Sequence, residues 1–501
     1  MDHEPDRRAF IGAAAAVAGG LTLAPESAMG QPKGANAGAY ALPADLSAHN
    51  ALSLVLGRAG DKSVTANLVA ADRLEAFIEY GTEAGKYALK TPPTALAPGQ
   101  PVEVAIPDLR PGTRYFYRLN FRRPGDAAFN ARAECQFHTQ RKPGDTFTFC
   151  VQGDSHPERP QMSEPNLYAR TLQRAAADRP DLYFCMGDDF SVNKVRAVNA
   201  ESLTAPYLLQ RPFLSLVAQF ASLYLVNGNH EQASLFNFNQ KGELHDVAVG
   251  VQTARNKLFP MPAAEGIYTG DARAFRGIGL LRDYFAWTWG DALFVVLDNY
   301  WHSPAQVDTG FPGGAGKRED KPKNRDWWDI TLGDDQYRWF KRTLEGSKAK
   351  FKFVFAHHVL GSGRGGVEMS EFCEWGGKPR GKGAGGDFKT KRPGWELPVH
   401  QLMAKHGVGV FFQGHDHLYA RQERDGVVYQ EVPLPADHLY ATHNEDAYTS
   451  GTKRANSGYL RVTVSPDEAK VEYVRCWLPK DETATQKTGD IAHSYTVKAR
   501  S

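Results

Sequence analysis

Five short polar clusters stand out, because each follows an apolar run and each carries side chains that ligate metals. They are Gly153-Asp154-Ser155-His156, Gly187-Asp188-Asp189, Gly228-Asn229-His230-Glu231, Ala356-His357-His358 and Gly414-His415-Asp416-His417. Carboxylate oxygen, amide oxygen and neutral imidazole nitrogen together suit borderline divalent cations such as Zn, Mn, Fe or Ni. A carboxylate has two oxygens, so one Asp can bridge a pair of ions. Gly153, Gly187, Gly228 and Gly414 each precede a cluster and let the chain turn with no Cβ in the way. None of the five cysteines (Cys135, Cys150, Cys185, Cys373, Cys476) falls in a cluster, which argues against a thiolate-rich structural zinc site. Their odd number and wide spacing read as buried free thiols rather than a disulfide framework.

The runs ahead of the clusters are Phe147–Val151, Leu182–Met186, Leu223–Val226, Lys352–Ala356 and Val408–Phe412, with a further run at Ala292–Leu297. Their length and aromatic and β-branched content predict strands buried on both faces. Leu167–Ala177 and Gln336–Leu344 read as helices between them, and later strands are expected at Val427–Val432, Gly458–Val464 and Lys470–Val474. In an open α/β sheet, ligands bind beyond the carboxyl ends of strands. Clusters far apart in sequence therefore converge at one sheet edge. Two inserts interrupt the pattern, one polar and aromatic (301–333) and one Gly-rich and slightly basic (361–395). The second carries Arg364, Lys378, Arg380, Lys382, Lys389, Lys391 and Arg392, and reads either as a lid that attracts anions or as a solvated loop.

Ahead of this α/β region the chain reads as all-β. Strands are expected at Ser63–Ala70, Ala76–Tyr80, Val102–Ile106, Arg114–Asn120 and Ala133–Thr139, separated by turns such as Gly60-Asp61 and Pro111-Gly112. This rhythm suggests a β-sandwich of fibronectin type III kind, and Leu109–Tyr115 resembles the turn before a late strand in that family. At the start, Arg7-Arg8 followed by Phe10-Ile11, an Ala/Gly-rich run and small residues near Gly30 form an export signal. Its core resembles a twin-arginine (Tat) signal, which implies a periplasmic or secreted protein handled by the Tat translocation machinery. An uncleaved anchor is the competing reading. No later stretch is long and apolar enough to span a membrane. A net charge of only +2 carries no nucleic-acid-binding signature.

The ordered set GDSH, GDD, GNHE, HH, GHDH resembles the calcineurin-like metallophosphoesterase superfamily, and the preceding β-region makes the layout most similar to its purple acid phosphatase branch. That resemblance implies an α/β (α+β) fold, a layered α/β/β/α sandwich preceded by a small all-β sandwich. The expected organisation is then a signal at 1–30, a linker at 31–47, a fibronectin type III-like domain at 48–141, a catalytic domain at 145–480 and a C-terminal tail at 481–501.

The resemblance further implies two metal ions (Fe, Mn or Zn). Asp154, His156 and His417 would hold one, Asp188 would bridge, and Asn229, His357 and His415 would complete the second. Spacing from the apolar run favours His357 over His358. His230 would lie near the scissile phosphate as stabiliser or acid. The family usually has Asp after this His, so Glu231 leaves the orienting partner of His230 open. A Tyr that ligates ferric iron in purple acid phosphatases is replaced by Ser191, so an obligatory ferric ion is not expected.

Further candidates for substrate contact or ligand support are His358, Asp189, Glu231, Asn299 and Arg364. Asp189 reads equally as an acceptor for an imidazole or a solvated turn residue, Asp416 as a surface or hydrogen-bonding residue, and Asn299 as a strand-end cap. The implied activity is hydrolysis of a small phosphate ester by a metal-bridging hydroxide. Phosphomonoesters are favoured. The alternatives are a phosphodiesterase acting on nucleotides or lipid head groups and a non-catalytic exported binding scaffold.

Overall fold

The computed structural model describes residues 43, 46–192, 199–231, 247–304, 326–361, 363–380 and 386–500. The export signal, nearly all of the linker, most of the first insert and Lys382 of the second lie outside the described residues.

Two mixed sheets form the α/β part. In the first, Phe147–Gln152, Leu182–Cys185 and Ser222–Leu225 run parallel, with Leu182–Cys185 in the middle of the three. Antiparallel strands Gly458–Val464, Glu468–Arg475 and Ile491–Lys498 extend the other side of Phe147–Gln152. In the second, Ala292–Val296, Phe351–Phe355, Val410–Gln413 and Val427–Glu431 are parallel neighbours, and Phe285–Trp289 and Tyr419–Arg424 flank them antiparallel. Apart from half-buried Thr148, the strands Phe147–Gln152, Leu182–Cys185, Ala292–Val296 and Phe351–Phe355 are buried along their whole length, as their apolar runs require.

The sheets meet over an aromatic core. Phe184 stacks on Phe355 with ring centroids 4.2 Å apart, and Phe149 meets Phe294 edge-on at 5.1 Å. Helices close the outer faces. Pro165–Ala177 covers the first sheet, entered through Pro165 and the Glu164 carboxylate, which accepts from Leu167 N. Asp334–Gly346 and Val399–Lys405 cover the second. Besides Val399–Lys405, two longer helices go beyond those expected, Ala200–Ala218 and Val247–Leu258. The first contains Pro206 and Pro212, which argue locally against a helix; burial of Leu203, Tyr207, Phe213, Leu214 and Val217 overrides them. No helix among the described residues is long and apolar enough to cross a membrane.

Two expectations need correction. Residues 481–501 are not a tail: Ile491–Lys498 is the edge strand of the first sheet, paired along Glu468–Arg475. The Gly-rich insert is neither a lid nor a solvated loop in its described part. Met369, Cys373, Trp375, Phe388 and Trp395 are buried in the core of the second sheet's helical face, and Trp395 stacks on Tyr337 at 3.9 Å. Most of its cations are committed as well, Lys391 to Asp326 and Arg392 to Glu374.

The N-terminal region is all-β, as expected. Leu52–Gly57, Val64–Ala70 and Val102–Ile106 form one antiparallel sheet, and Leu74–Gly81 pairs with Arg114–Arg122 in another. Tyr115, Tyr117 and Leu119 point inward while Phe116 and Arg118 are half-buried, and the Tyr115 hydroxyl accepts from Arg110 N at 2.8 Å. This region does not stand apart, since its apolar residues join the same core as Phe149 and Phe294.

Arg211 fastens the two parts. It is fully buried and donates to Ser53 Oγ (2.6 Å), Asn67 O (2.6 Å) and Leu258 O. Truncation strands these acceptors out of reach of water. Arg211→Ala is expected to lower stability by about 3 kcal/mol, read as a shift in the denaturant midpoint. A variant within about 0.5 kcal/mol of wild type contradicts this role.

Candidate metal centre

Five strand ends meet across the seam between the two sheets. Phe147–Gln152 delivers Asp154 and His156, Leu182–Cys185 delivers Asp188, and Ser222–Leu225 delivers Asn229 and His230. From the other sheet, Phe351–Phe355 delivers His357, and Val410–Gln413 delivers His415 and His417.

The donor atoms form two groups that share Asp188. In one, His417 Nε2 lies 3.0 Å from Asp154 Oδ2 and 3.1 Å from His156 Nε2. In the other, Asn229 Oδ1 lies 2.8 Å from His415 Nδ1 and 3.0 Å from His357 Nε2. Asp188 Oδ2 is 3.2 Å from His357 Nε2 and 3.7 Å from His156 Nε2, so it stands between them. A cation about 2.1 Å from each N or O donor would set neighbouring donors roughly 3.0–3.4 Å apart. Most of these distances meet that condition.

The outward ring nitrogens explain the orientation. His156 Nδ1 faces Glu158 Oε1 at 3.0 Å, and His357 Nδ1 faces the Met186 carbonyl at 2.8 Å. Protons held there leave the Nε2 lone pairs pointing inward. Electrostatics agree. Burial opposes the charged form of His357, yet Asp188 and Asp154 overcome it and hold the group up to about 10. Burial pushes His417 down to about 4 and His415 well below its ordinary value. Without a cation, the carboxylates retain a proton on His357, and metal binding would release it.

The backbone is forced at the same places. His156, Asp188, His415 and His417 all sit at positive φ, between 40° and 79°. Non-glycine residues in the left-handed region cost on the order of 1–3 kcal/mol each and persist where the surroundings over-determine them. The glycines therefore serve a different purpose from the one expected. Apart from Gly187 (φ 99°), the ligands themselves make the sharp turns, and the glycines permit close approach. A Cβ on Gly228 would lie 2.2 Å from Asp188 Oδ1, and one on Gly414 would lie 2.5 Å from Asp154 Oδ1.

Glu231 is not the orienting partner of His230. Its Oε2 accepts from Gly228 N (2.8 Å) and Asp188 N (3.1 Å), and its Oε1 from Asp189 N (3.0 Å) and Phe190 N (3.1 Å). One buried carboxylate thus gathers four amides and fixes the turn that carries Asp188; burial and Asp188 push it up to about 7. The backbone N–H of His230 donates to Asp188 Oδ1 at 2.8 Å, and Arg159 Nη2 donates to its ring at Nε2, 2.7 Å away.

The other candidates fall into place around this centre. His358 hydrogen-bonds the Val359 carbonyl through Nδ1 and stacks on His415 at 4.1 Å, so it does not join the donor groups. Asn299 spends its amide on the His358 carbonyl. Asp189 is fully buried and accepts from Gln152 at 2.9 Å, meeting neither an imidazole nor solvent. Asp416 is buried too, accepting from Gly365 N, Arg364 and the Tyr448 hydroxyl. Arg364 also donates to the His415 carbonyl at 2.8 Å, which holds it against the site.

Glu158 and Arg159 were not among the sequence candidates, although they lie two and three residues beyond His156 in the same loop. That proximity was the available signal. Asp271, Asp283 and His302 form another close group, but Arg273 already pairs with Asp271 and His302 with Asp283.

The calcineurin-like phosphoesterase family matches residues 147–419. Among solved structures, the chain is similar to that titled "Structure of PhoD", with 15% identity over 89% of this chain and 90% of that one and a TM-score of 0.59. It also matches GAP50, the anchor in the inner membrane complex of Plasmodium, with 12% identity over 71% of this chain and 90% of that one and a TM-score of 0.38. No curated protein matches the chain.

Gly228→Ala places a methyl group against Asp188 and is expected to cost at least one equivalent of bound metal while leaving far-UV circular dichroism unchanged. Elemental analysis of purified variant and wild type measures it, and an unchanged metal content counts against the close-approach argument.

Proposed function

The chain belongs to the calcineurin-like phosphoesterase family, a family of metal-dependent phosphoester hydrolases, and from that premise we propose that it binds two cations and cleaves phosphomonoesters. The observation that carries this reading is the pair of donor groups meeting at Asp188. Asp154, His156 and His417 would hold one cation and Asn229, His357 and His415 the other, with Asp188 placed between the two groups. When bound, the cations supply an activated water near neutral pH and positive charge against the phosphoryl oxygens.

The remaining steps belong to the protein. Glu158 and the Met186 carbonyl fix which nitrogens face inward. Glu231 holds the Asp188 turn rigid. His230 stands at the lip, 3.8 Å from Asp188 Oδ2 and 16% exposed. There it can hold a proton for the departing oxygen. An intact donor set speaks against a non-catalytic scaffold.

Burial favours monoesters. His156, Asp188 and His357 are almost wholly inaccessible, and His230 is more open than any of the metal-binding residues. A terminal phosphate with one ester arm fits such a recess, whereas a diester must seat two arms at its rim. The residues 48–141 form the fibronectin type III-like part of this reading, supported by the Tyr115 hydroxyl contact to Arg110. Ser191, buried beside the Asp188 turn, supplies no phenolate, so a ferric ion is not obligatory, and the cations are taken as divalent or trivalent ions of Fe, Mn or Zn. The arginine pair near the start of the chain supports Tat-type export to the periplasm or beyond.

Purified protein should carry two metal equivalents and hydrolyse a chromogenic phosphomonoester at least about tenfold faster than the matched diester. Asp188→Ala should lower the rate by a factor of about 1,000 or more. Stoichiometric metal with faster diester cleavage would move the assignment to a phosphodiesterase; no metal would end it.

A further inference from the structure

We propose that Arg159 binds the phosphoryl oxygens of the substrate and thereby selects doubly charged terminal phosphates over singly charged diesters. The inference deepens the phosphoesterase reading and rests on it.

Arg159 follows His156 on the loop after the first strand, in a turn closed by its own N–H to the His156 carbonyl at 2.9 Å. Its side chain is 25% exposed, and Nη2 reaches His230 Nε2 at 2.7 Å. A guanidinium can only donate, so His230 must accept through an unprotonated Nε2. A neutral ring nitrogen is a weak partner for a cation that could instead grip two anionic oxygens at once.

The neighbouring carboxylate does not take that place. Glu158 contacts Arg159 Nε at 3.3 Å, and its Oε1 is the same oxygen that faces His156 Nδ1. The other arginine near the centre is already occupied, because Arg364 Nη1 spans the His415 carbonyl and Asp416 Oδ1. Arg159 is therefore positioned at the lip with its forked end toward the reacting region.

A phosphate arriving beside His230 offers the guanidinium a better acceptor. When the fork moves onto two phosphoryl oxygens, His230 Nε2 is released to take up a proton from solvent and pass it to the leaving oxygen. One displacement thus binds the substrate and readies the group beside it. A monoester dianion presents three terminal oxygens and two charges, a diester only two oxygens and one charge, so the monoester gains more from this contact.

The test uses the metal-loaded full chain, with inorganic phosphate as the binding probe and matched chromogenic monoester and diester as substrates. Arg159→Ala should weaken phosphate binding and raise the monoester KM by about 10- to 100-fold, with kcat changed less, diester KM shifted by less than about threefold, and metal content unchanged. Arg159→Lys, which keeps charge but not the fork, should recover part of the loss. Phosphate affinity and monoester KM within about twofold of wild type overturn the proposal. So does a loss of metal in Arg159→Ala, which marks a scaffold residue, and equal KM increases for both esters overturn the selectivity claim. If wild type binds metal and phosphate but hydrolyses neither ester, the phosphoesterase reading fails instead. Weakened phosphate binding in Arg159→Ala then still supports the contact.

Discussion

Electron pairs that repel one another are held together at the centre of this fold. Two imidazole nitrogens lie 3.1 Å apart, and a carboxylate oxygen lies 3.0 Å from one of them. The remaining donors are packed almost as closely around Asn229 and Asp188. Their ring protons are turned outward toward Glu158 and Met186, so few hydrogens remain to relieve the crowding. Bound cations would satisfy such an arrangement. The surrounding architecture is best understood as what keeps these groups from moving apart.

That restraint is distributed. Four of the donor residues adopt left-handed backbone conformations, and glycines leave room for oxygens to lie against the neighbouring chain. Glu231 gathers the amides of the Asp188 turn, much as an anion would at a nest of N–H groups. On the opposite side, the amide of Asn456 ties the His417 carbonyl at 2.8 Å, and Asp416 anchors the following loop through Tyr448. The sheets supply rigidity from below through stacked phenylalanines, so the centre is braced both by polar contacts at its own depth and by apolar contacts beneath it.

The positions of the donors were legible in the sequence because each depends on a short-range pattern, an apolar strand followed by a turn and a polar residue. Spacing from the apolar run favoured His357 over His358, and it is His357 Nε2 that lies beside Asn229 and Asp188. What escaped was tertiary. Glu231 left the orienting partner of His230 open, and its carboxylate turns to amides some forty positions earlier. For Asp189 and Asp416 a solvated or surface position stayed open beside a hydrogen-bonding one, because carboxylates are usually exposed; their partners come from other parts of the chain. Gly187 turns the chain as expected, whereas what a methyl group would strike at Gly228 and Gly414 was out of view in the sequence. In the Gly-rich insert, abundant cations masked five buried apolar side chains, and the last strand was invisible because its residues alternate only weakly in burial.

The placement of that first parallel strand has a bearing on how the protein matures. Phe147–Gln152 lies between Leu182–Cys185 and Gly458–Val464, a neighbour more than 300 positions later in the chain. His415 and His417 also arrive late. A polypeptide emerging from the ribosome can therefore build its N-terminal β-region early, but it cannot grip an ion until almost all of it has been made. Loading must be an event of the finished chain, in whichever compartment that chain has reached by then.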